Sequence, residues 1–272
     1  MSEVMIDFPE TKRILLKRDQ DWLTIWLNRP ESRNALSNGM IEELIQVLEV
    51  VRGEASIRGI TIRGNGGVFC AGGDIKGFKA VFQGEAGDEA SVAAANSRAG
   101  ELFELIDTMP QVVVMLAEGA AIAGGLGMLC AADIVVVTQD TKFALTETAL
   151  GIPPAQIAPF VVRRIGLPAA RSIMLTAARF TGEKAGDLGI ANVVVATADE
   201  LAAEEDQIRR QVRTCAPGAN AATKEILLAA QHLERGEMRR FAAERFARCM
   251  LSDEGHEGVA AFIEKRKPYW TK

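Results

Sequence analysis

The chain has 272 residues, 48% of them hydrophobic and 25% charged, which suits one large core or a core with an extension. Its net charge of −5 contains no long block of like charge, which excludes the electrostatic footprint of a nucleic-acid binder. No apolar run reaches the length of a membrane span, and Met1 to Glu10 carries acids without an apolar segment, so neither a span nor a leader is expected.

In chain order, Ile14–Lys17 and Trp22–Leu27 read as two strands joined by the polar turn Asp19-Gln20-Asp21, and Asn28-Arg29-Pro30 stops the second. Met40, Ile41, Leu44, Ile45, Val47, Leu48 and Val51 recur at helical spacing, with Glu42, Glu43, Gln46 and Glu49 opposite. Ile60–Ile62 is a short buried strand, and Cys70-Ala71-Gly72-Gly73-Asp74-Ile75-Lys76 follows. Gly77 to Ala95 is small, polar and glycine-bearing, which predicts a mobile loop or loose helix. A helix from about Ala95 to Met109 ends at Pro110. Val112–Leu116 is a strand that leads into a second glycine run, Ala123-Gly124-Gly125-Leu126-Gly127. Gly125–Ala131 reads as a buried helix and Ile134–Val137 as another strand. After Pro153 the strand signal fades apart from Val193–Val195, and helices dominate from Leu201, the last one amphipathic over Val259–Lys267. Alternating strands and helices argue for an α/β core, in which a strand–strand–helix unit recurs loosely.

The two glycine runs are the main chemical feature. Each follows an apolar strand and opens a predicted helix, so each turns tightly and frees backbone N–H groups. One N–H from each run, aimed at one oxygen, makes an oxyanion hole. Packing turns are the alternative. Neither run carries the Lys-Ser/Thr of a phosphate loop or the pattern of a dinucleotide site. Glu147 sits among apolar residues before Gly151-Ile152-Pro153-Pro154; a half-buried carboxyl there has a raised pKa and moves protons near neutral pH. Asp74 suits a helix cap. Lys265-Arg266-Lys267 suits either the dipole at a helix end or a phosphate-bearing ligand, and Arg33 and Lys76 carry the same ambiguity. Cys70, Cys130, Cys215 and Cys249 lie far apart with no CxxC, and read as reduced thiols of a cytoplasmic protein, not as metal ligands. His232 and His256 are the only histidines and lie in the C-terminal part, which argues against a Ser-His-Asp arrangement.

Taken jointly, these segments resemble the crotonase superfamily of enoyl-CoA hydratases and isomerases. The resemblance spans Asn28-Arg29-Pro30-Glu31 with Arg33-Asn34-Ala35-Leu36, Phe69 to Lys76, Gly119 to Gly127 with Ala132-Asp133-Ile134, Phe143 to Gly151, and Ala261 to Pro268. It implies a spiral of strand–strand–helix units (residues 1–200) with a helical C-terminal oligomerisation region (201–272), assembled as a homotrimer or homohexamer. It implies an acyl-CoA thioester as substrate, coenzyme A being part of that substrate and no separate cofactor being needed. Gly73 and Gly124 match the oxyanion donors and Glu147 a catalytic glutamate. Ala71, Asp74, Ile75 and Lys76 match positions that line the acyl-CoA site; Arg33, Ala35 and Lys76 match positions that hold the coenzyme A nucleotide and pantetheine, and Lys265 matches a basic residue that approaches its phosphate, commonly across a subunit boundary. One departure stands out. The second glutamate of the well-known hydratases falls at Gly127, one helical turn past Gly124. A glycine at that position also occurs in a branch of hydratases that act on glutaconyl-type thioesters. The expected reaction is hydration of a branched 2-enoyl-CoA, with double-bond isomerisation by a single glutamate, or a silent acyl-CoA binder, as alternatives.

Overall fold

The computed structural model describes residues 6–74 and 88–271. Its main sheet has six strands in the order β1-β2-β3-β4-β6-β9: β1 Ile14–Asp19, β2 Trp22–Leu27, β3 Gly59–Gly64, β4 Val112–Ala117, β6 Ile134–Thr138 and β9 Val193–Val195. Only the β1–β2 hairpin is antiparallel; β2, β3, β4, β6 and β9 run parallel. β2 and β3 are buried almost throughout, as strands covered on both faces are.

A second, smaller sheet holds β5 Ala120–Ile122, β7 Lys142–Ala144 and β8 Arg179–Phe180. Single bridges extend it: Cys70 pairs with Ala121, and Leu36 with Gly73. The chain therefore repeats one path. β2 leads to Leu36 and helix α1 (Asn38–Arg52), and β3 leads to Cys70–Gly73 and then α2 (Glu89–Thr108). β4 leads to β5 and α3 (Gly124–Ala131), and β6 leads to β7 and α4 (Ala158–Leu175). Each turn puts one strand in the main sheet, one segment in the small sheet and one helix outside. This is the expected α/β spiral of strand–strand–helix units.

The remaining described helices are α5 Gly182–Asp187, α6 Ala198–Thr214, α7 Pro217–Ala229, α8 Arg235–Met250 and α9 Asp253–Ile263. The core between α1–α4 and the sheets is continuous, and α6 covers the opposite face of the main sheet through Leu201, Ile208 and Val212 against Val114, Leu116 and Val136. A buried chain of polar groups fixes α6 there. Trp22 Nε1 donates to Thr61 Oγ1 (2.8 Å), Thr61 Oγ1 donates to Glu205 Oε1 (2.6 Å), and Arg209 closes on the same carboxylate. Among the described residues no helix is long and apolar enough to cross a membrane.

Several expectations need correction. The short strands β5, β7 and β8 carry no period-2 pattern, so the sequence gives no sign of them. α2 begins six residues before Ala95, because Asp88 caps it by accepting from Ser91 N (3.0 Å); residues 77–87 of the predicted loop lie outside the described residues. Glu43, expected on the polar face of α1, is buried and accepts from Lys12 N, Arg13 N and Arg13 Nη1. The last helix spans Asp253–Ile263, capped by Ser252, so Lys265-Arg266-Lys267 lies beyond its end instead of closing it. Lys265 itself takes a left-handed turn (φ 55°).

Candidate active site

The first glycine run is held between two neighbours. On one side Cys70 N donates to Ala120 O and Ile122 N donates to Cys70 O, both at 2.9 Å. On the other, Ala71 N donates to Arg33 O (3.0 Å), Leu36 N to Gly72 O (2.8 Å) and Asp74 N to Leu36 O (3.0 Å). In a parallel bridge the bonds to Leu36 come from the residues flanking Gly73, so the N–H of Gly73 itself points away from Leu36. Gly72 is pressed against the second run: with φ +94°, a Cβ on it would sit 3.0 Å from Ala123 Cβ.

The second run opens α3. Its cap residue, Ala123, has φ 48° and ψ −117°, a conformation that costs a non-glycine residue about 1–3 kcal/mol and persists only when its surroundings impose it. They do so here: Ala123 N donates to Ala144 O (2.8 Å), which ties the turn to β7. Gly124 is the first residue of α3, and such N–H groups have no partner within a helix. The bridge of Cys70 to Ala121 thus sets the first glycine run beside β5, the strand that leads into Gly124; two N–H groups meeting on one oxygen would stabilise charge building there.

Glu147 arrives by the same pairing. Ile122 pairs with Ala144, and Glu147 follows three residues later at the start of a 3-10 turn, Glu147–Leu150, closed by Gly151 at φ +79°. Its Oε2 is buried and has no hydrogen-bond partner. Burial raises the carboxyl above its ordinary value of 4.5, only partly opposed by nearby backbone hydrogen bonds. A half-buried carboxyl with one unpartnered oxygen and a raised pKa is a candidate to take and return a proton.

The other candidates divide. Ala71 and Ala35 are drawn beside the glycine run by the ladder just described, and Ala35 is buried. Arg33 is exposed, with a left-handed backbone (φ 51°), and its side chain bonds to no described residue. Asp74 accepts from Arg29 Nη1 (3.0 Å), which also donates to Ala35 O (3.0 Å), so this carboxylate is tied to an arginine. Ile75 and Lys76 lie outside the described residues. Lys265 is exposed past α9, in a part of the chain distinct from both glycine runs. Gly127 is buried, and its space is already taken: a Cβ there would lie 2.2 Å from Ile157 Cγ2. A surface cleft of about 520 Å³ between α7, α8 and α9 is lined in part by Arg245, Arg248 and Tyr269 and includes none of these residues. Cys70 and Cys130 are fully buried thiols pushed up to about 12, which removes both as nucleophiles at neutral pH.

Sequence reading misses Asn34. It is fully buried with φ 55°, a left-handed conformation that asparagine tolerates better than most residues. Its Oδ1 accepts from Arg29 N (2.8 Å), and its Nδ2 donates to Asn65 O (2.9 Å) and Val68 O (2.7 Å). It thereby pins the loop that leads into the first glycine run. Asn34→Ala leaves those three groups unpaired, and denaturant unfolding should show a loss of about 2–3 kcal/mol. A loss under about 0.5 kcal/mol, the size of an ordinary surface change, refutes this role.

Known proteins share this architecture. The family model described as enoyl-CoA hydratase/isomerase matches residues 18–272. A putative enoyl-CoA hydratase of Thermus thermophilus is 32% identical over 244 residues, covering 90% of this chain and 95% of that protein. Carnitinyl-CoA dehydratase of Proteus mirabilis is 34% identical over 254 residues, covering 91% of this chain and 94% of its own. Among solved structures, Pseudomonas aeruginosa AtuE superposes with a TM-score of 0.93 at 45% identity, covering 96% of this chain and 100% of that one. An enoyl-CoA hydratase/isomerase from Marinobacter aquaeolei gives 0.92 at 37% identity, covering 96% and 99%. The repeated spiral, the paired glycine turns and this full-length similarity agree: the chain belongs to the enoyl-CoA hydratase/isomerase family.

Proposed function

We propose that this protein is a hydro-lyase that adds water across the 2,3 double bond of a branched, glutaconyl-type enoyl-CoA. The observation that carries the reading is the buried, unpartnered Oε2 of Glu147, three residues past Ala144, whose carbonyl accepts from Ala123 N at the second glycine turn. The thioester carbonyl accepts from Gly73 N–H and Gly124 N–H. Glu147, ionised, takes a proton from water as the water oxygen bonds to C3. The π electrons move through C2 onto the thioester oxygen, where the two N–H groups stabilise the enolate. Glu147, now protonated, returns that proton to C2 as the enolate collapses. Water is consumed whole and the carboxylate is regenerated. A carboxylate on the substrate itself, as in methylglutaconyl-CoA or isohexenylglutaconyl-CoA, takes over the placing of water that a second glutamate would perform.

Arg33, Ala35 and Lys76 are the proposed holders of the coenzyme A nucleotide and pantetheine, Ala71, Asp74 and Ile75 of the acyl-thioester segment, and Lys265 of a phosphate across a subunit boundary. A homotrimer or homohexamer built on residues 201–272 is supported by the exposed apolar side chains of that region, including Leu251, Phe262 and Ile263 at 78%, 85% and 72% exposure.

The test is incubation of the purified protein with methylglutaconyl-CoA and isohexenylglutaconyl-CoA in water labelled with heavy oxygen. Loss of the conjugated enoyl absorbance with label in the product is the expected result. Turnover of a straight-chain enoyl-CoA but of neither branched one refutes the substrate class. Double-bond migration without label refutes hydration in favour of isomerisation, which the absence of a second carboxylate at Gly127 favours as the next reading.

A further inference from the structure

Gly127 lies one turn along α3 from Gly124, and both face one aromatic ring. A Cβ on Gly124 would stand 3.9 Å from Phe103 Cζ, and a Cβ on Gly127 3.6 Å from the same atom. Phe103 therefore borders both positions, one of them the proposed oxyanion donor. Ile157 completes the wall at position 127. A Cβ at position 127 would lie 2.2 Å from Ile157 Cγ2 and 2.8 Å from Ile157 Cβ. Rotation about χ1 moves Cγ2 but leaves Cβ 2.8 Å away, so a side chain at 127 needs both the loss of Cγ2 and a small shift of the backbone.

Ile157 is not free to withdraw. It is 4% exposed, it immediately precedes α4, and its carbonyl accepts from Val161 N (3.1 Å). The next residues bring Phe160 edge-on to Phe103, with ring centroids 6.0 Å apart. Gln156, just before it, lies against Gly100 of α2 and donates to Asn96 Oδ1 (2.9 Å). The segment is clamped on both sides, so the contact between positions 127 and 157 is a fixed feature of the wall.

We propose that Ile157 is a specificity-determining residue of this acyl-CoA site, filling with apolar atoms the ground that a side chain at position 127 would need. Selection at this wall is by the bulk of the acyl group and not by a second carboxylate. Positions 127 and 157 form one coupled unit, since a larger residue at the first requires a smaller one at the second. This rests on the acyl-CoA reading of Gly73 and Gly124 given above, but not on hydration being the reaction.

The experiment measures binding and stability apart from turnover. Wild type, Ile157→Val and Ile157→Ala are titrated calorimetrically with two unreactive saturated thioesters, butanoyl-CoA and the bulkier 3-methylpentanoyl-CoA. Ile157→Ala should move the ratio of the two Kd values towards the bulkier ligand by ~10-fold or more, the worth of a methylene or so of pocket space. Ile157→Val should move it the same way by less. In parallel, Gly127→Ala should lower Tm, and adding Ile157→Ala should cost less than the sum of the single changes, as residues in contact do. An unchanged Kd ratio in both Ile157 variants, binding of neither thioester to the wild type, or a wild-type Tm for Gly127→Ala each overturns the proposal. A wild type that binds both thioesters but hydrates no enoyl-CoA refutes the reaction and leaves the role of Ile157 standing.

Discussion

Glu147→Gln should abolish turnover without weakening the fold. Removing a general acid–base group typically costs ~10²–10⁴-fold in rate, and here one carboxylate is asked to perform both proton transfers. The stability side is unusual for a change at a half-buried charge. Oε2 of Glu147 has no hydrogen-bond partner, and burial raises its pKa above 4.5. The folded state then holds the proton more tightly than the unfolded chain. The contribution of this group to stability is fully present below the unfolded value and is lost as pH rises through the folded value. At pH 7 the ionised carboxylate is a net cost, which glutamine removes while keeping the shape. Tm of the variant at pH 7 should equal or exceed that of the wild type. The wild-type kcat/KM should fall on the acid side with an apparent pKa above that of an ordinary glutamate, because the base must be ionised. A variant that retains wild-type turnover, or one whose Tm drops sharply at pH 7, removes Glu147 from its role.

Gly125→Ala should separate the two glycine turns. Its Cβ would stand 2.7 Å from Cys70 O, 2.9 Å from Cys70 Cβ and 3.2 Å from Cys70 Sγ. The carbonyl oxygen and Cβ cannot move alone, because Cys70 O accepts from Ile122 N and Cys70 N donates to Ala120 O, which fixes this backbone. The added methyl therefore pushes α3 away from Cys70–Gly73 and spreads the N–H groups of Gly124 and Gly73. Loss of one oxyanion donor typically costs ~10²–10³-fold in kcat, and a shift of the turn affects both. Because the clash is with backbone inside a packed core, Tm should fall as well. Gly53→Ala is the matched control: Gly53 has φ −83° and a Cβ there meets only Val50 O, at 3.9 Å. If Gly125→Ala keeps wild-type kcat while Gly53→Ala does too, the two turns do not form one site.

Patterns within single segments are legible from residue identity and spacing alone. The periodicity of Met40 to Val51 announces α1, and the apolar runs at Trp22–Leu27, Ile60–Ile62 and Val112–Leu116 announce central strands. These signals are strong because both strand faces, or one whole helix face, are buried. β5, β7 and β8 are not legible, since strands of two or three residues carry no period; they exist because neighbouring turns of the spiral place them side by side. Placing Lys265 and its neighbours on a helix continues an apolar pattern that Ile263 in fact ends. Glu43 is misread because a charge on a helix looks solvated until a distant partner, here Arg13 with the backbone of Lys12, is known.

The site divides along the same line. By itself the sequence determined that two glycine-opened turns follow apolar strands, that Glu147 is embedded among apolar residues, and that position 127 has no carboxylate. Those facts are local and need only residue identity and spacing. Tertiary structure decided the rest. It paired the neighbours of Gly73 with Leu36, and it tied the segment that leads to Glu147 to β5 through the pairing of Ile122 with Ala144. It also closed the space beside Gly127 with Ile157. The physical reason is that each of these depends on contacts between turns of the spiral that are distant in the chain. Such contacts are set by packing across the sheets, and no local pattern encodes which two segments will meet.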